Sequence, residues 1–250
     1  MHKYKFKNGH TTLLEYIKPD VNKKQSFTIV YAHGFCSDPW GKKPEAVKKW
    51  CIEHGCGFVR FEIAGHGSDI DRFEETTIDT YKEQMFEIIS DVVEEDKVVV
   101  MGASLGGWLS VLSAIKFKQK VIGFIGLAAA PDFLRLFFEK CFNEEHKKQL
   151  ETQGKIVFPT NDFSYTITKN MLESGWSNLV LDKETIPFNG KVRLLQGMKD
   201  AALYWEMAPL IAKKLESDDV KVVLMKNSNH RLSSEEDIKA IYGILGDFLL

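Results

Sequence analysis

Val98-Val-Val-Met-Gly-Ala-Ser-Leu-Gly-Gly-Trp-Leu109 is the stretch on which the reading of the whole chain turns. A run of β-branched residues ends at Gly102-Ala-Ser104-Leu-Gly106, and an apolar segment of helical character follows. A serine in a G-x-S-x-G match between a strand and a helix sits at the tip of a sharp turn, where its hydroxyl is presented as a nucleophile. The pattern predicts a strained backbone at Ser104. It also predicts glycine at 102 and 106, because a Cβ at either position would collide with a neighbouring strand or helix. The five-residue match alone is common; its strand-before, helix-after context gives it meaning.

Outward from this stretch, strands and helices alternate on both sides. Lys3-Tyr-Lys-Phe-Lys and Thr11-Thr-Leu-Leu-Glu-Tyr-Ile17, with Asn8-Gly9 between them, read as a β-hairpin. Phe27 to Ala32 reads as a buried strand ending at His33-Gly34-Phe35. Residues 41–53 read as a helix stopping before Gly55, and Phe58 to Ile63 as the next strand. Ile78 to Val93 places Tyr81, Met85, Ile88, Ile89 and Val92 three and four apart, an amphipathic helix. Strand Val121 to Leu127 follows the helix after Ser104. Beyond residue 190 come strand Val192 to Gln196, a helix near 206–216, strand Val220 to Met225 and a helix over 234–249. Ser233-Ser-Glu-Glu236 reads as the capping box of that last helix. This alternation predicts an α/β fold with a parallel sheet.

Residues 132–190 break the rhythm. They hold an aromatic-rich helical segment (Phe133, Leu134, Leu136, Phe137, Phe138), a hairpin around Asn161-Asp162, and a short segment with Met171, Leu172 and Trp176. An irregular insertion between strands of an open α/β sheet reads as a small cap over the strands' carboxyl ends, where such sheets bind ligands. No repeat or low-complexity linker divides the chain, so residues 1–250 are expected to form one domain.

The bulk numbers exclude more than they assign. At 250 residues the chain can bury a sizeable core. A net charge of −2, from 33 basic and 35 acidic residues, predicts neither a nucleic-acid nor an anionic-membrane partner. Lys42, Lys43, Lys48 and Lys49 read as a solvated helix face. No run approaches the roughly 18 apolar residues of a membrane span, and the N-terminal stretch lacks a signal-peptide core. Cys36, Cys51, Cys56 and Cys141 lack zinc-site spacing. The expectation is a cytoplasmic protein with reduced thiols, no metal and no cofactor.

A serine hydroxyl needs a base to take its proton, and the base needs a third group to hold its tautomer. In the strand–turn–helix arrangement the order is serine, acid, histidine. Two histidines lie downstream of Ser104. His146 sits in the charged run Asn143-Glu-Glu-His-Lys-Lys148, which reads as a solvated helix face. His230 sits in the polar loop after the last strand, where a base can reach across the strand ends. Asp200, in the loop after the penultimate strand, is the candidate acid, and Asp132, after an earlier strand, is its rival. The oxyanion needs fixed backbone donors, for which the amides of Leu105 and Phe35 are the candidates. His33 reads as a brace for that loop. Trp40, Trp108, Phe137, Phe138, Trp176 and Trp205 are candidates for an apolar pocket wall.

His33-Gly-Phe, Arg60-Phe-Glu-Ile-Ala-Gly-His-Gly-Ser68, Gly102-Ala-Ser-Leu-Gly-Gly-Trp108, Arg193-Leu-Leu-Gln-Gly-Met-Lys-Asp200 and Asn229-His-Arg231 together resemble the α/β-hydrolase superfamily. Within it they resemble the palmitoyl-protein thioesterase and mycophenolic-acid acyl-glucuronide esterase group, over roughly residues 26–249. The resemblance implies a mainly parallel eight-stranded sheet flanked by helices. It also implies a Ser104–Asp200–His230 triad and serine hydrolase activity on acyl esters or thioesters of small molecules or acyl-proteins. The chain departs from the group in Ala201-Ala-Leu-Tyr204, where a proline is usual. Alternatives on the same fold are a C–C hydrolase, perhydrolase or acyltransferase, or a ligand receptor without catalysis.

Overall fold

The computed structural model describes residues 1–20, 22–23, 27–94, 97–159 and 164–249. The opening hairpin forms as read: β1 (His2–Lys5) and β2 (Thr11–Ile17) pair antiparallel around a turn in which Gly9 takes φ 89°. Next come β3 (Thr28–Ala32), α1 (Lys42–His54), β4 (Gly57–Phe61), α2 (Ile78–Glu87), β5 (Val98–Ala103), α3 (Leu105–Lys116) and β6 (Val121–Leu127). The periodic stretch expected as one helix to Val93 is α2 followed by a π-helical turn over Ile88–Val92.

The less regular region holds α4 (Phe133–Cys141), α5 (Glu144–Gln153), a two-stranded ribbon of β7 (Lys155–Pro159) and β8 (Ser164–Thr168), and α6 (Lys169–Ser177). The turn expected around Asn161-Asp162 lies outside the described residues, between these two paired strands. Then follow β9 (Lys191–Gly197), α7 (Met207–Lys214), β10 (Val220–Met225) and α8 (Glu235–Gly246). The last helix's capping box is one residue later than read: Ser234 accepts from the Asp237 amide, and Asp237 accepts from the Ser234 amide.

Eight strands form one sheet in the order β1-β2-β4-β3-β5-β6-β9-β10. β2 meets β4 antiparallel, and every pair from β4 to β10 is parallel. Parallel strands need crossover helices, which cover both faces of the sheet and leave the central strands without a solvated side. Accordingly every residue of β3, β4 and β5 is buried. Val47, Trp50 and Cys51 of α1 and Ile241, Ile244 and Leu245 of α8 pack on one face. α2, α3 and α7 pack on the other through residues such as Tyr81, Met85, Trp108, Leu109 and Ile211. The loops after β3, β5, β9 and β10 therefore open on one edge of the sheet.

Candidate active site

Ser104 follows directly on β5 and takes φ 53° and ψ −116°, a conformation that L-residues rarely adopt. The surroundings over-determine it. The Ser104 amide donates to the Leu127 carbonyl (3.0 Å), and its own carbonyl accepts from Gly107 (2.8 Å) and Ala130 (3.1 Å). Strain of this kind persists only where neighbours hold it. Both glycines of the motif are sterically required. A Cβ on Gly102 would lie 2.0 Å from the Gly106 backbone, and one on Gly106 would lie 2.1 Å from the Ala32 carbonyl oxygen. Among the described residues, four other non-glycine residues take positive φ: Cys36, Ala128, Asp132 and Leu232, all in loops that follow strands.

His230, after β10, and Asp200, after β9, meet directly: His230 Nδ1 lies 2.7 Å from Asp200 Oδ2. The Asp200 carboxylate is fully buried and accepts three further bonds. Gln196 Nε2 donates to Oδ2 at 2.8 Å, and the amides of Ala202 and Leu203 donate to Oδ1 at 2.9 Å each. Burial alone would raise its pKa. The hydrogen bond and charge of His230, then the Leu203 and Gln196 donors, outweigh burial and hold the carboxyl below its usual range. An ionised carboxylate on Nδ1 keeps the proton there and leaves Nε2 as the basic atom. Among the described residues no hydrogen bond joins Nε2 to the Ser104 hydroxyl. Such contacts are often long without substrate and tighten on binding.

The rival acid is committed elsewhere. Asp132 is buried and accepts from the Val180 amide at 3.0 and 3.1 Å and from Leu181 at 2.7 Å, tying the start of α4 to the segment before β9. Burial raises its pKa despite those donors. His146 caps the exposed helix α5, its ring accepting from the Asn143 amide.

His33 is a brace. Its Nδ1–H donates to the Gly34 carbonyl (2.8 Å) and its Nε2 accepts from the Ile63 amide (3.0 Å), so both ring nitrogens are used by the neutral form. Burial, with His66 beside it, pushes its pKa down to about 3. The left-handed bend after β3 falls at Cys36 (φ 51°). The Cys36 thiol is pushed up to about 11 by burial, so it stays protonated and packs as a small side chain. Among the described residues, neither the Phe35 nor the Leu105 amide donates to a protein acceptor. Leu105 opens α3, where the helix dipole adds positive potential.

Ser104, Asp200, His230 and Phe35 line one cavity of about 1320 Å³. Of the expected wall residues, Phe137 and Trp205 line it too, and Trp40, Trp108, Phe138 and Trp176 do not. Trp108 is wholly buried under the segment from α4 to α6, its indole N–H on the Asn178 carbonyl (3.1 Å). Trp40 donates to Glu62 (3.2 Å) beneath the Arg60 guanidinium. Phe138 packs against Trp176 on the outer side of α4. A composition-based choice of large aromatics does not separate helix faces. The cavity face of α4 is Phe133, Leu136, Phe137 and Lys140, a spacing of three and four that was legible. Tyr165, stacked on Phe35 at 5.8 Å, gave no sequence signal. The far side of the cavity is polar, with Lys42, Lys43 and Arg231. Lys43 donates to the Arg231 carbonyl, and burial pushes its pKa down to about 8. Lys140 lies 3.5 Å from the centre of the Tyr204 ring, a cation–π contact between α4 and the Asp200 loop.

A mostly parallel eight-stranded sheet, helices on both faces and a left-handed serine where β5 turns into α3 define an α/β hydrolase. The putative hydrolase from Agrobacterium vitis S4 shares that fold, with a TM-score of 0.91 at 23% identity over 100% of this chain and 98% of its own. Within the superfamily, the chain belongs to the ABHD10 family. It is 31% identical to the Bos taurus mitochondrial palmitoyl-protein thioesterase ABHD10 over 251 residues, 96% of this chain and 81% of that protein. The structure of mouse alpha/beta hydrolase domain-containing protein 10 matches with a TM-score of 0.86 at 27% identity, covering 99% and 97% of the two chains. No family model matches. Membership makes the chain an ester or thioester hydrolase. It also corrects the cytoplasmic expectation, because the relatives are named as mitochondrial. An organelle address is read from a targeting segment with its own composition, which averages over a whole chain and the geometry of a site do not record. No helix among the described residues is long and apolar enough to cross a membrane.

Proposed function

We propose that this hydrolase is a serine (thio)esterase that removes apolar acyl groups through an acyl-enzyme. The Ser104 hydroxyl attacks the acyl carbon while His230 Nε2 takes its proton. Asp200 holds the imidazole and stabilises the imidazolium. The Phe35 and Leu105 amides receive the oxyanion. Collapse of the tetrahedral species expels the thiol or alcohol, which leaves with the proton from His230. Water, deprotonated by the same imidazole, then attacks the acyl-serine and releases the acid. In this reading residues 1–250 act as one domain, and 132–190 form a cap that supplies the acyl wall through Phe133, Leu136, Phe137 and Tyr165.

The observation that carries the proposal is the His230–Asp200 bond in the cavity that also holds the strained Ser104. The relatives' name, palmitoyl-protein thioesterase, supports a long acyl thioester as substrate, and the cavity's apolar wall suits one. The test is a panel of p-nitrophenyl esters and acyl thioesters of rising chain length, with Ser104→Ala as control. Turnover should extend to long chains, with kcat/KM rising with chain length. Stoichiometric labelling of Ser104 by a fluorophosphonate, without turnover of any member of the panel, would instead mark a receptor.

A further inference from the structure

Gln196, the penultimate residue of β9, is wholly buried. Its Nε2 donates to Asp200 Oδ2 at 2.8 Å and to the Gly197 carbonyl at 3.2 Å. Oδ2 is also the oxygen on which His230 Nδ1 sits, whereas Oδ1 is occupied by the Ala202 and Leu203 amides. The other end of the Gln196 amide is different: Oε1 is buried and has no hydrogen-bond partner among the described residues. An unpaired buried carbonyl is costly. Rotating the amide would not relieve that cost, since Oε1 would then face the Asp200 carboxylate and repel it. The carboxylate therefore sets the orientation of the amide. The fold tolerates an orphan acceptor to keep one more donor on Oδ2, the kind of local conflict that collects at working sites.

We infer that Gln196 is a positioning residue for Asp200: it shares Oδ2 with the imidazole and so tunes the grip of the acid on His230. The inference rests on the roles proposed for Asp200 and His230. A donor on Oδ2 draws charge from the carboxylate and fixes its rotation. Without that donor, Asp200 would stabilise the His230 imidazolium more strongly and hold the ring less well. The imidazole would then give up its proton only at higher pH, and fewer rings would face the serine correctly.

Gln196→Met tests this, because it keeps the unbranched volume while removing both the donor and the orphan carbonyl. The His230 ring-proton resonances are titrated by NMR in the wild type and the variant, and kcat and KM are followed against pH. The NMR midpoint and the acid limb of kcat/KM should both move to higher pH. At the plateau kcat should fall by about threefold to tenfold with KM little changed, while the melting temperature holds or rises. A midpoint that stays put or moves down overturns the inference, whatever happens to the rate. If Gln196→Met does not fold, Gln196→Leu is titrated instead; if neither folds, Gln196 serves the fold and the inference fails. The NMR titration needs no substrate. A raised midpoint in a protein that cleaves no ester would sink the proposed reaction and leave the coupling standing.

Discussion

Asp132 and Asp200 show how differently one fold surrounds two identical side chains. Both are carboxylates in loops after parallel strands, and both accept backbone amides. Only Asp200 is bonded to an imidazole, and its pKa is lowered where that of Asp132 is raised. Asp200→Asn should therefore lower kcat by about 10³–10⁴-fold, because the neutral amide no longer holds the productive tautomer. Asp132→Asn should keep activity within about tenfold and lose about 1–3 kcal/mol of stability, by weakening the clamp on Val180 and Leu181. Initial rates and urea melts on both variants check this; the reverse pattern would exchange the two roles. Chain order and loop position already favoured Asp200. The bond network that separates the two carboxylates depends on where residues 180–181 return, which no local pattern encodes. The wall residues were less legible for the same reason: size marks an aromatic side chain, but only the packed helix shows which way it faces.

The turn between β5 and α3 was the most readable element, because its requirements are steric and local. Gly106→Ala would put a Cβ 2.1 Å from the Ala32 carbonyl, so β3 and α3 would have to move apart. A loss of more than about 3 kcal/mol, or no soluble protein, is expected. Gly243, in α8, has nothing within 4 Å of its Cβ position. Gly243→Ala should raise stability by about 0.5–1 kcal/mol through helix propensity alone. Thermal melts of the pair check the contrast, and equal effects would remove the steric account of the motif. The helix read through Val93 became α2 and a π turn, since hydrophobic spacing records which face is buried and not the hydrogen-bond register. Within residues 132–190 the pattern distinguishes an aromatic helical segment from the stretches around it, but not the division into three helices and a ribbon. The region's short elements bury Leu134, Phe142, Leu150 and Ile167 in the same apolar cluster as α2 and α3, and such packing stabilises short helices more than their own propensity does.

Across the molecule, two buried histidines tie stability to pH. His33 is held neutral, with a pKa near 3, and burial also lowers that of His66. Unfolded, each would titrate at about 6.5. Between those limits the unfolded chain binds more protons than the folded one, so stability falls as pH drops below about 6.5, His33 alone contributing on the order of 5 kcal/mol by pH 3. Urea melts from pH 7 to 4.5 on the wild type and His33→Asn should show the variant weaker at pH 7 but with a flatter decline. Parallel curves would contradict the assignment. If Ser104 is the nucleophile, it must carry the acyl group during turnover, and rapid quench traps that state: mix the protein with a p-nitrophenyl acyl ester, acidify within milliseconds, and measure intact mass and peptide masses. One acyl group should appear on the peptide carrying Ser104, formed in step with a burst of p-nitrophenol and absent from Ser104→Ala. Steady turnover by Ser104→Ala at the wild-type rate, or an acyl group on another residue, would contradict it.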